Sequence, residues 1–158
     1  MTNMRRGFTM IELIFAIVII GILAAVAIPK LAATRDDADS AVCVQEVGQL
    51  ISEISAHYTK VGYNKFKDTK VSDMTNITVE SGTTRGIQTD AVVHGTTGVT
   101  YFCDGVGIVT FVGNVETNGT NYLLTVETKT GSTPASNIAI QTIKENILDG
   151  GTSKAFKL

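Results

Sequence analysis

Tryptophan is absent from this 158-residue chain, and aromatic residues make up only 6% of it. Two cysteines exclude a disulfide-dense mini-domain and any four-cysteine zinc module. Two prolines and 15 glycines leave the chain neither collagen-like nor low-complexity. An excess of one charge is missing too. Lys and Arg number 13 against 15 Asp and Glu, a net charge of −2, so nothing in the balance calls for nucleic acid. No glycine is followed at the right spacing by Gly-Lys-Ser/Thr, which excludes a phosphate loop. Gly105-Val106-Gly107 lacks the third glycine of a dinucleotide fingerprint, because position 110 is Thr. His57 and His94 have no Cys or His at metal-ligand spacing and read as ordinary surface or sheet histidines. Asp104 has no second acidic residue close by, so a solvated turn residue is preferred there over a calcium ligand. With no nucleophile beside a base, the sequence offers no enzyme, no cofactor and no metal centre.

The chain does have length enough for one domain with a core, and its apolar residues are unevenly spread. They concentrate in Phe8 to Ile28, with Arg5 and Arg6 before them and Lys30 and Arg35 after. As helix this run is roughly 31 Å long, about one hydrocarbon core. A cleaved secretory signal would have a shorter apolar stretch ending in a small-x-small site. Here the run continues through Ala24, Ala25 and Ala27 into Pro29 and further helix-like sequence, so it reads as a membrane span. The two arginines ahead of it predict a cytoplasmic N-terminus and an exported C-terminal region.

Glu12 disturbs that plain anchor. It lies four residues into the apolar run, and an acid inside a span is a functional candidate whose partner must be named, unless it stays hydrated at the interface. The stretch Arg6-Gly7-Phe8-Thr9-Met10-Ile11-Glu12-Leu13, followed by an apolar helix with Gly21 and Pro29, closely resembles the N-terminus of type IV pilins and of the pseudopilins of type II secretion. The resemblance covers the first 30 to 35 residues. It implies a leader of residues 1–7, cleavage between Gly7 and Phe8, and N-methylation of Phe8. It also implies that Glu12 neutralises the N-terminal amine of a neighbouring subunit during assembly. Two opposite charges desolvated together cost far less than one left alone, so such a pair would also set the axial register. The implied partners are further copies in a helical homo-oligomer, a prepilin peptidase and methyltransferase, an inner-membrane assembly platform, minor pilins, and membrane lipid before assembly.

After Pro29 the apolar residues Ala38, Ala41, Val42, Val47, Leu50, Ile51, Ile54, Tyr58 and Val61 recur at helical spacing, with Asp36, Asp37, Asp39, Glu46 and Glu53 as wet positions. One helix is therefore expected over about 8–60, its first half transmembrane and its second amphipathic. Pro29 should kink or locally unwind it between Gly21 and Pro29. In filaments of the resembled family this stretch loses helicity. A connecting loop is expected at 62–75, carrying Lys65, Lys67, Asp68 and Lys70. Strands are expected at Ile77–Glu80, Thr89–Val93, Val99–Cys103, Ile108–Val112 and Tyr122–Glu127, with Asn118-Gly119 in the last hairpin loop. Ser136 is read as the cap of a short helix stopped by Gly150-Gly151, and Ala155–Leu158 as a last edge strand. The expected fold is α+β, a pilin-like roll with the long helix packed on an antiparallel sheet. Its parts are a leader (1–7), a transmembrane or filament-core helix (8–28), an amphipathic continuation (29–61) and a globular sheet region (62–158).

Cys43 on that helix and Cys103 on a central strand could meet in an oxidising compartment and form a disulfide, or remain two buried thiols. Asn76-Ile77-Thr78 and Asn118-Gly119-Thr120 match the glycosylation sequon and are read as chance in a bacterial setting. The resulting expectation is a subunit of a type IV pilus-like filament. A secretion pseudopilin is the first alternative, and a single-pass anchored periplasmic binding domain the second.

Overall fold

The computed structural model describes residues 7–81, 91–116 and 121–158. The chain divides into two compact units, the first running to Asp36 and the second Asp37–Leu158. Helix α1, Met10–Val61, contributes to both. In the first unit it is apolar on every side, and its large side chains from Phe8 to Leu31 are exposed. This helix is long and apolar enough to cross a membrane. It continues without a break through Gly21 and Pro29, so the local unwinding expected there is not a feature of this structure.

In the second unit α1 buries Ser40, Cys43, Val47, Leu50 and Ile54, a stripe at three- and four-residue spacing. The beginning of this stripe differs from the expected one. Val42 is 56% exposed and Ala38 and Ala41 face outward, while Ser40 and Cys43 turn in. Ordinary hydrophobicity counting favours Val over Cys, but a covalent partner fixes which side of the helix faces the sheet. The expected connecting loop holds a short helical turn α2, Tyr63–Phe66, and a 3₁₀ turn, Val71–Asp73.

The sheet is an antiparallel meander of five strands in sequence order: β1 Val79–Ser81, β2 Val99–Cys103, β3 Val106–Val115, β4 Tyr122–Thr128 and β5 Ser153–Lys157. The β2–β3 hairpin turns on Asp104-Gly105, whose φ values of 51° and 72° are those a two-residue primed turn requires. A register shift between Tyr101 and Phe102 marks a bulge beside it. Asn118-Gly119, the turn expected for the β3–β4 hairpin, lies outside the described residues.

The expected strand Thr89–Val93 is corrected. Thr89 and Asp90 lie outside the described residues, and the rest forms no ladder: Val92 makes a single bridge to Lys70, and His94, just beyond, one to Gly113. The reason is where β2 starts. Val99 pairs with Phe111, so the β2-side edge of β3 is unpaired beyond that point. The incoming chain satisfies it there: Gly113 N donates to Val93 O at 2.8 Å and Gly95 N to Gly113 O at 3.0 Å. Helix α3, Pro134–Asn146, is capped by Thr133 and not by Ser136. Pro134 occupies the first helical position, which suits a residue with no N–H to satisfy. Ser136 is the third residue, and its hydroxyl accepts from Thr133 N while Thr133 Oγ1 accepts from Ser136 N.

One sheet face carries Val99, Tyr101 and Cys103 from β2, Val109 and Phe111 from β3, and Tyr122, Leu124 and Val126 from β4, all buried with the α1 stripe and with Ala139, Ile140 and Ile143 of α3. Tyr58 of α1 stacks on Tyr122 with ring centroids 5.1 Å apart. Gly113 makes room for that tyrosine, since a Cβ built there would strike the Tyr122 ring and hydroxyl. Gly113→Ala is therefore expected to cost about 1–3 kcal/mol of stability, read as a lowered denaturant midpoint with an unchanged slope.

Candidate assembly site

The start of α1 is set by two side chains. Thr9 precedes the helix and Glu12 is its third residue. Thr9 N donates to Glu12 Oε2 at 2.9 Å, and Glu12 N donates to Thr9 Oγ1 at 3.3 Å, a reciprocal capping box. The Thr9 hydroxyl also donates to the same Glu12 oxygen at 2.6 Å. The carboxylate is thus held against its own helix end through one oxygen. Thr9 carries no role among the sequence expectations, although Thr-x-x-Glu ahead of an apolar run is a readable signal.

Gly7 and Phe8 lie just ahead of the helix, and Phe8 is 79% exposed. Among the described residues, nothing stands within 4 Å of a Cβ built at Gly7, and the same is true at Gly21.

In the second unit, Cys43 of α1 and Cys103 at the end of β2 form a disulfide with Cα atoms 5.8 Å apart. One turn further along α1, the Tyr101 hydroxyl donates to Glu46 Oε2 at 2.6 Å. Burial, together with that carboxylate, holds the Tyr101 phenol above its ordinary pKa, so it remains a donor. Glu46, expected to be simply wet, instead bonds helix to sheet.

The remaining sequence candidates stay separate. His94 Nδ1 is 3.1 Å from Gly113 O and 3.2 Å from the Tyr122 hydroxyl, inside an aromatic cluster, and His57 lies against Phe66. Asp104 occupies the β2–β3 turn. Among the described residues, no three His, Cys, Asp or Glu side chains converge as a metal site. Asn76 is exposed, and Asn118 lies outside the described residues.

Comparison with known proteins gives the N-terminal segment a family context. The prokaryotic N-terminal methylation motif matches residues 2–28. The chain is 33% identical over 57 residues to the type II secretion system core protein G of Dickeya chrysanthemi, covering 36% of this chain and 37% of that protein. It is 32% identical over 66 residues to the core protein G of Pectobacterium carotovorum subsp. carotovorum, covering 42% and 41%. The matches thus span about two fifths of each relative's length. No solved structure matches the chain. The chain carries a prokaryotic N-terminal methylation motif at residues 2–28, in an α+β layout whose long helix packs on an antiparallel sheet.

Proposed function

We propose that this chain is a subunit of a pilus-like filament. It is made as a membrane-anchored precursor, cut between Gly7 and Phe8 by a prepilin peptidase, methylated on Phe8, and polymerised through the apolar part of α1. The observation that carries the reading is a helix with exposed apolar side chains on all sides, within the stretch that matches the methylation motif. In water that surface is untenable, and it has two coverings of the right chemistry: lipid before assembly and other copies of the helix afterwards. Glu12 selects between them. In lipid the carboxylate is a liability, whereas beside the amine of a processed neighbour it is half of an ion pair.

The resemblance to two type II secretion core proteins favours a short secretion filament in the cell envelope at least as much as a surface pilus. On either version the partners are copies of this chain, minor subunits of the same apparatus and an inner-membrane assembly platform. The N-terminus lies in the cytoplasm and the sheet-bearing unit outside the inner membrane. Residues 1–7 form the leader, 8–28 the filament core, 29–61 the amphipathic continuation and 62–158 the globular region.

Intact-mass spectrometry of the protein from its native membrane tests the processing. The expected mass lacks residues 1–7 and carries one added methyl group. A full-length mass overturns the filament reading and leaves an anchored exported domain. Shearing then separates the two filaments: recovery in the sheared fibre fraction means a pilus, and retention in the envelope a secretion filament.

A further inference from the structure

In any filament, a force on the exported unit reaches the core through α1. The first inward-facing residues on that path are poorly equipped to hold the helix by packing. Ser40 is buried but polar, and its hydroxyl donates to Asp37 O of its own helix at 2.8 Å. Of the two nearby branched side chains, Val42 points outward and Val44 is only partly buried against the core. Fully buried aliphatic contacts begin only at Val47 and continue with Leu50 and Ile54. Between Ser40 and Val47 stand the Cys43–Cys103 bond and the hydrogen bond from Tyr101 to Glu46.

Peeling loads contacts one after another, starting where the force enters, so a row of dispersion contacts yields one at a time. A covalent bond at the entry point changes that sequence, because nothing beyond it is loaded until it breaks. The strands differ from the helix in this respect. Each is tied to its neighbours by ladder hydrogen bonds, whereas α1 lies on the sheet through side chains alone.

We propose that the Cys43–Cys103 bond is a tension clamp. It transfers load from α1 directly to the end of β2 and so shields the chain between the two cysteines. The proposal rests on the filament reading only for the origin of the load, and it applies equally to a surface pilus and a secretion filament. The bond forms on the exported side by loss of two protons and two electrons from the thiols to a disulfide-type oxidant, which is itself reduced to a dithiol.

The test is single-molecule pulling of the full chain, inserted in a supported lipid bilayer through its own helix and held by a handle at Leu158. With the bond intact, the releasable chain beyond the membrane excludes the 60-residue span between the cysteines. With a reductant present, an additional release of about 210 Å is expected. It should occur at a force below that which extracts the helix from the bilayer. The clamp is overturned if the extension is the same with and without reductant. It is also overturned if the reduced chain leaves the bilayer before the second release, because packing alone then carries the load. The double variant Cys43→Ala/Cys103→Ala should reproduce the reduced trace. Should it fail to fold, reductant added to the folded wild-type chain carries the test. No filament is needed, so a full-length mass in the processing experiment would overturn the filament reading without deciding this one.

Discussion

Glu12→Gln is expected to leave the chain inserted, processed and folded, yet to reduce filament on the order of tenfold or more. The substitution keeps the shape of the side chain and its reach to Thr9. A glutamine oxygen can still accept from Thr9 N, so the helix start survives. What disappears is the negative charge. A processed neighbour would bring an unpaired amine into an apolar surround, and an uncompensated charge there is penalised far more than a lost hydrogen bond. Three measurements separate these effects: intact mass for processing, the Cys43–Cys103 bond under non-reducing electrophoresis for folding, and sedimented filament for assembly. Unchanged filament would mean that Glu12 serves only to cap α1. Thr9→Ala provides the opposite contrast. It removes a helix cap, typically worth about 1 kcal/mol, while the carboxylate keeps its charge.

The sequence was most legible where a single physical pattern ran for many residues. The apolar run from Phe8 to Ile28 and the helical spacing through Val61 gave α1 almost end to end. Alternation in Val99–Cys103 and Tyr122–Glu127 was enough to place two of the strands, the second ending one residue later at Thr128. Legibility failed where the deciding partner is remote in sequence. Ala91–Val93 has the alternation of a strand, but its neighbour Gly113 offers only the stretch of β3 that β2 leaves uncovered. Local pattern cannot show that. Cys43 presents the same problem, since the side of α1 that turns inward near residue 40 depends on Cys103, 60 residues away. Asp104 was legible as a turn residue, and it occupies the β2–β3 turn. Thr133-Pro134 was a local signal still unread, a cap followed by a favoured first helical residue. At the candidate assembly site, Gly7, Phe8 and Glu12 were legible as types in a motif. The geometry added Thr9, which holds the Glu12 carboxylate at the start of α1.

Removing the disulfide should produce the largest change in the stability of the second unit, Asp37–Leu158. Cross-linking residues 60 apart restricts the unfolded chain by an amount equivalent to about 4 kcal/mol on the chain-entropy model. Domains of this size are commonly stable by only about 5–15 kcal/mol, so the loss is a large fraction of the whole. The double variant Cys43→Ala/Cys103→Ala is the right comparison, because a single substitution leaves a buried thiol free to mispair. Its melting temperature should fall by about 15 °C, and reductant should lower that of the wild-type chain by a similar amount. Agreement between the two would place the effect in the bond itself. A much larger fall in the variant than in the reduced wild type would implicate the space left by the two sulfurs, since both cysteines are buried. A fall of only a few degrees in both would mean that Val47, Leu50 and Ile54 already hold α1 on the sheet at rest. The bond's contribution would then lie in resistance to force, where static packing and covalent attachment differ most.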